Sequence, residues 1–536
     1  MSRLSLLRTD DFTGGLNLRA DPFQLGRTES PDLLNVDIDP RGGLTMRGGI
    51  TKLNTSAIGT IANGSFTPKS LYAWDNTAPQ VLLSTNSAVY YATTTAFTSM
   101  GITTTAPFGA SFTAWSASTE SFVYIGTGGV SYKWNGATAT ALTDASTGYA
   151  DNYASPVTGF APKCRYITSH VDRLWCAYVT EGATDYPNRI RFSHPINRES
   201  WATNDYIDIV EGGSGITAII PFNGNLLVFK KRAVFAIMGY STDTFQVINL
   251  TSEVGAVHPL SVVATETAVY FFSWPDGLFK YDGQQFGDLF TAIRPLIQTG
   301  QVNNIAQDEI RVASVNHRIW LSLPLGSSTK ASACYVYDPS LKQGGGWTKY
   351  QTSDAKGFGS GCDFVTSTGT TYNLVCHPSN AYVMKVDQLS VYQDDVGTGA
   401  ANFSSYFTTG WQDANNVSNR KMWRRPDFVV KQTSVATNLS LTVFHDWEES
   451  IVAKLYVLAL DASGSSLIWN ATATEPDANP GWNQANWGSS ATGAAFAVGK
   501  SLGLARSVQL KIQGEGGKPW GINSITYKYN PRKVRA

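Results

Sequence analysis

From about residue 65 to 395 the chain repeats one phrase: a polar or glycine-bearing turn, a short alternating run, another turn, and a run rich in aromatics. The phrase reads as an antiparallel strand pair, because β-branched and aromatic residues bounded by turn residues fit a pleated, half-buried surface. It occurs at 80–83 with 89–91, 122–125 with 130–134, 172–175 with 189–192, and 223–228 with 233–237. It returns at 268–271 with 277–281, 317–321 with 333–337, and 372–375 with 381–384. The spacing of about 40 to 55 residues is that of four-stranded propeller blades, and seven candidates can be counted. The stretch 290–303 reads as a helical insertion. Two separate β-sandwiches are the competing topology.

Either side of this region the pattern changes. Residues 1–60 form an arm rich in Gly, Pro and Asp with little alternation of its own, so it is expected to be extended and tied down by the rest of the molecule or by a neighbour. One helical turn is predicted at 30–34, with Ser30 as N-cap and Pro31 at the first helical position. Because the arm lacks an autonomous core, its deletion is expected to impair assembly more than it unfolds the body. After a Gly-, Ser- and Asn-rich boundary, runs at 427–431, 439–444, 451–457, 507–512 and 522–527 predict a C-terminal β-sandwich, jelly-roll-like, over 397–536. The sequence thus reads as all-β: arm 1–60, propeller 61–396, sandwich 397–536.

Composition agrees with many short strands. Only 15% of the 536 residues are charged, with 49 glycines and 12% aromatics. Lys plus Arg equals Asp plus Glu at 41 each, giving no overall attraction to nucleic acid or acidic membranes. Cys164, Cys176, Cys334, Cys362 and Cys376 are odd in number and form no CxxC, which points to reduced thiols. The first residues lack a continuous apolar core, and no run is long and apolar enough for a membrane helix.

No constellation of catalytic chemistry survives its spacing test. Gly493 to Ser501 places five residues between its glycines where a phosphate loop has four. The histidines at 170, 194, 258, 317, 377 and 445 are scattered, and Cys376-His377 would point to opposite faces of a strand. Asp172, Asp185, Glu253 and Asp276 are glycosidase candidates, but Asp276-Gly277 and Asp282-Gly283 are also what hairpins require. Trp411, Trp423, Trp447, Trp482 and Trp487 suit cores and interfaces before ligands. The basic runs 420–425 and 531–535 read as solvated or partner-pairing patches. No catalytic, cofactor-binding or metal residue is therefore assigned.

The arm reads Asp11-Phe12-Thr13-Gly14-Gly15-Leu16-Asn17, then Pro22, then Glu29-Ser30-Pro31-Asp32-Leu33-Leu34-Asn35-Val36, and closes on Gly43-Leu44-Thr45-Met46-Arg47-Gly48-Gly49. This order resembles the opening of phage virion proteins, in which such phrases precede a β-propeller; Gly48 stands where the pattern has proline. With a sandwich and a basic C-terminus following, the chain is similar to the tail nozzle, or tail tubular protein B, family of short-tailed phages. The resemblance implies a non-enzymatic homo-oligomeric ring, a hexamer in known members, made in the host bacterial cytoplasm and placed in the virion tail. Its implied partners are the portal, the adaptor, other tail proteins and, in passing, non-specific double-stranded DNA, with no membrane anchor and no cofactor. A receptor- or glycan-binding tail protein is the alternative, and a polysaccharide-degrading enzyme a third.

Overall fold

The computed structural model describes residues 4–58, 68–116, 121–142, 163–195, 198–202, 204–341, 344–397, 399–431, 433, 435–460 and 494–531. Six successive four-stranded antiparallel meanders occupy 68–103, 111–141, 163–208, 218–251, 262–288 and 311–350. Their first strands adjoin one another in sequence around a ring. The seventh blade takes Gly361–Val365, Thr371–Cys376 and Val383–Gln388 from the end of the repeat and its fourth strand, Gly49–Lys52, from the arm, with the short strands Asp394–Asp395 and Ala400–Ala401 extending the sheet beyond it. The inner strand Gly361–Val365 lies against Pro68–Trp74 of the first blade and closes the ring. The fold is a seven-bladed β-propeller joined to a sandwich, as the repeat predicts, and not two sandwiches.

Each strand pair legible in the sequence is the second and third strand of a blade. These middle strands are covered by the adjacent blades on both faces, so they are mostly apolar and buried: all six residues of Gln80–Thr85 are buried, the polar Gln80, Ser84 and Thr85 included, as are Leu226 to Phe229. The buried side chains accordingly fall into clusters that lie between neighbouring blades. Trp74 and Leu82 meet Val123 and Trp134 between blades one and two, for example, and Leu71 and Leu83 meet Leu374 and Val383 between blades one and seven. Hairpins hold the register: Asn223 and Gly224 both have positive φ (49° and 75°), the backbone of a two-residue turn whose twist matches the strands it joins. The predicted helical insertion is present as Thr291–Ile293 and Pro295–Gln298 between blades five and six.

The C-terminal sandwich pairs an eight-stranded sheet with a five-stranded one, and both recruit the arm. Ser5–Thr9 and Leu44–Met46 pair with the long strand Gly521–Pro531, Val36–Ile38 pairs with Leu44–Met46, and Leu33–Leu34 pairs with Tyr406–Thr408. The helical turn expected at 30–34 does not form. Glu29–Ser30 and Leu33–Leu34 are extended, and the Ser30 hydroxyl, instead of capping a helix, donates to the carbonyls of Asp32 and Thr408 at 2.9 and 2.7 Å. The strand expected over 451–457 begins at Lys454 and runs to Leu460.

The arm is tied down by the rest of the molecule, and its apolar side chains enter the cores of both bodies. Phe12, Leu16, Leu33, Val36 and Leu44 are at most 2% exposed, and share one core with Phe272 and Leu321 of the propeller and Leu441 and Ile525 of the sandwich. At roughly 1.5–3 kcal/mol for each large apolar side chain buried, these residues are a structural part of both bodies.

Candidate functional site

The phrase 29–49 converges on a polar clasp where arm, propeller and sandwich meet. Arg47 is 2% exposed and has five N–H donors to satisfy. Nε donates to Asn35 Oδ1 (2.9 Å), one terminal nitrogen to the Gly48 carbonyl (2.8 Å) and Asp394 Oδ1 (3.0 Å), the other to the Gln351 carbonyl (2.9 Å) and Asp394 Oδ2 (2.6 Å). Its guanidinium also stacks 3.9 Å from the centre of the Phe403 ring. Asp394 is fully buried and accepts a third hydrogen bond, from the Ser353 amide at 3.0 Å. Such a bidentate, fully saturated pair offsets the cost of taking both charges out of water.

Asn35 orients Arg47 from within the arm. It holds a positive φ of 54°, tolerated best by Asn among side-chain-bearing residues, which turns its amide outward. Oδ1 accepts from Arg47 and from the Gln351 amide of the propeller, while Nδ2 donates to the Ser404 carbonyl beside the sandwich. Gly48 and Gly49 allow the chain past: a Cβ on Gly48 would lie 2.7 Å from the Gln388 nitrogen, and one on Gly49 2.4 Å from the Gln393 carbonyl oxygen. A second clasp lies alongside. Arg318 of blade six donates to Asp37 of the arm at 2.7 Å and to Asp387 of blade seven at 2.6 Å, and the Tyr350 hydroxyl bonds Asp37. Burial pushes the Tyr350 phenol well above its usual range, so it serves there as a donor.

A different set of charges gathers at the end of the ring where the inner strands begin. Phe108, in the connector into blade two, stacks on His258, which leads into blade five, with ring centres 4.5 Å apart. The two meet across the ring, between residues leading into blades two and five. His258 Nδ1 accepts from the Leu260 amide at 3.2 Å, and burial, followed by the charge of Arg311, holds its pKa well below the usual value. Glu309 receives Lys330 at 3.1 Å and Lys69 at 3.4 Å on the same oxygen, and Arg311 at 3.4 Å on the other.

The acidic residues weighed as catalytic are not brought together. Asp172 occupies a positive-φ hairpin turn and pairs with Arg198 at 3.1 Å, Asp185 accepts from Thr180 at 2.7 Å, and Asp276 pairs with Arg232 at 2.6 Å. Glu253 is exposed in the connector between blades four and five. Asp282 accepts from the amides of Gln284 and Gln285, which pull its pKa down, as a turn residue does. In the phosphate-loop lookalike, Ala494–Val498 is a strand paired with Asp427–Lys431, while Gly493 lies outside the described residues.

Of the tryptophan group, Trp423 and Trp411 are buried and Trp447 stacks on Phe23 of the arm at 4.9 Å, whereas Trp482 and Trp487 lie outside the described residues. The basic run 420–425 is not simply a solvated patch. Lys421 is 1% exposed and donates to the carbonyls of Asn416, Asn419 and Arg506. Residues 532–535 of the terminal basic run lie outside the described residues. Among those residues no group of three His, Cys, Asp or Glu side chains has metal-site spacing, and all five cysteines are free.

The sequence singled out the arm's phrases but not the residues they engage. Asp394, Phe403 and the Lys69–Glu309–Arg311–Lys330 group carried no local signal, since their partners are up to 347 positions away. No protein-family model and no curated protein matches the chain. Among solved structures, the chain is similar to a catalytically inactive virginiamycin B lyase from Staphylococcus aureus with quinupristin, at 12% identity over 63% of this chain and 98% of that one, with a TM-score of 0.39. It is also similar to YCF48 from Cyanidioschyzon merolae, at 10% identity over 64% of this chain and all of that one, with a TM-score of 0.36. At such identities the likeness concerns the fold alone.

Proposed function

We propose that this protein is a structural subunit of a bacteriophage tail, forming a nozzle- or hub-like ring below the portal and adaptor through which genome DNA is ejected. One observation carries the reading: the phrase that resembles virion proteins, residues 11–49, is the segment that locks propeller and sandwich together through Arg47, Asn35 and Asp394. A subunit locked in this way can present unlike faces at a fixed angle, and heterologous contacts between such faces close into rings. A chain with 41 acidic and 41 basic residues would also grip passing phosphates weakly.

The hexameric count follows from the family resemblance alone. Negative-stain imaging of the purified protein and of the virion tests the proposal: closed rings on the tail axis are expected. A protein that stays monomeric at high concentration and is missing from tails would overturn it. The glycan-binding alternative draws on Phe23, which is 66% exposed while stacked on Trp447. Retention of host surface glycan by the isolated protein, lost in Phe23→Ala, would favour that reading instead.

A further inference from the structure

We infer that the end of the propeller axis beside Lys69 and Lys330 binds a small oxyanion of the phosphate class. The inference is independent of the virion reading. It rests on how this protein treats its other buried lysines. Lys230 is completely buried and its ammonium has three acceptors, the carbonyls of Ile209 and Glu211 at 2.6 Å each and Asn188 Oδ1 at 2.9 Å. Lys421 is likewise buried against three carbonyls.

At the axis end this rule is not followed. The Lys69 side chain is only 12% exposed, yet among the described residues its ammonium makes one hydrogen bond, at 3.4 Å, to a Glu309 oxygen that it shares with Lys330. Arg311, 4% exposed, takes the other oxygen at 3.4 Å and otherwise donates to the carbonyls of Asp308 and Ile310. Three cations thus converge on one carboxylate, and the exposed Asp308 carboxylate acts on Arg311 from outside the contact. Buried ammonium N–H groups without acceptors are costly, and an anion is the ligand that satisfies them.

The surroundings define what fits. Burial first, then the charge of Arg311, lowers the Lys69 pKa, with Glu309 opposing and Lys330 adding to it. Phe108 on the neutral His258 supplies a non-polar wall. Lys330, 32% exposed, stands on the solvent side. Lys69 and Arg311, at 12% and 4% exposure, lie too far from solvent for contact with a duplex backbone, so the anion sought is a small one.

The test is isothermal titration of the full-length protein with inorganic phosphate, with thermal unfolding in phosphate and in chloride at matched ionic strength. Saturable binding is expected. Lys330→Ala and Lys69→Met should weaken it at least about tenfold, the loss of one charge-assisted hydrogen bond. Glu309→Gln should strengthen it, because the competing carboxylate charge is gone, and phosphate should recover the melting temperature which that variant loses in chloride. Lys330→Ala keeps the test decisive even where Lys69→Met fails to fold, since Lys330 lies at the rim. No heat and no phosphate-specific stabilisation in the wild type, or a Glu309→Gln variant that phosphate does not rescue, would overturn the inference. So would displacement of bound phosphate by duplex DNA, which would assign the cations to nucleic acid.

Discussion

Replacing Arg47 by Met removes the guanidinium while keeping much of the side chain's volume, and isolates what the clasp contributes. The Asp394 carboxylate, fully buried, would keep only the Ser353 amide as donor, and the carbonyls of Gly48 and Gln351 would each lose a partner. Breaking a buried pair from one side typically costs about 3–5 kcal/mol, because the surviving charge stays desolvated. Asp394→Asn should cost a similar amount, since it strands the buried Arg47 cation and sets an amide N–H group against one of the guanidinium donors. The double variant should be less destabilised than the sum of the two, by about 1–3 kcal/mol of coupling. Urea unfolding followed by tryptophan fluorescence gives all four corners of the cycle. Added salt should leave the Arg47 effect unchanged, because screening reaches exposed charges and not buried ones. A single-variant cost under about 1 kcal/mol, or additivity within about 0.5 kcal/mol, would refute the argument that this pair locks the two bodies.

Gly49→Ala sets a Cβ 2.4 Å from the Gln393 carbonyl oxygen and 2.8 Å from that of Val391, so it should cost about 1–3 kcal/mol in the same unfolding assay. Gly369→Ala meets nothing within 4 Å and should show only the smaller strain of its positive φ. Deleting residues 1–52 removes the fourth strand of blade seven together with Phe12, Leu33 and Val36, so the truncated chain should lose cooperative unfolding and expose apolar surface to a hydrophobic dye; an intact, cooperative body would contradict this. His258 takes up a proton less readily when folded than when unfolded, so stability should be flat above about pH 6.5 and fall as pH drops below it, by up to ~1.4 kcal/mol per pH unit. His258→Asn, which can still accept from the Leu260 amide, should flatten that slope; identical acid profiles would remove His258 as its source.

What was legible in the sequence follows from where each strand sits. The second and third strands of the blades, such as Asn225–Phe229 and Val234–Met238, are packed from both sides and are therefore rich in apolar residues, so they stood out as paired apolar runs. The outermost strands did not: Gln246–Thr251 is largely exposed, and its composition answers to solvent as much as to its neighbour. Inner strands were muted for another reason. Seven of them crowd round one axis, so positions such as Gly361 and Ala218 are small where a strand prediction looks for bulk.

The arm shows the limit of local reading most clearly. Its lack of alternation was real and it has no core of its own, but a segment can supply single strands to several sheets without forming one itself, and no local pattern shows that. Gly49–Lys52 belongs to the propeller, while Leu33–Leu34 and Leu44–Met46 belong to the two faces of the sandwich. Each contributes two to four residues, too few for any periodicity to register. The residues that did register, Asn35, Arg47 and the glycines after it, are those whose chemistry admits no substitute: an amide in a left-handed turn, a five-donor planar cation, and backbone with no room for a side chain. The phrase is therefore conspicuous for the same physical reason that it is structural. A chain that retained the phrase but paired Arg47 elsewhere would lose the link through Asp394 and Asn35 that joins arm, propeller and sandwich.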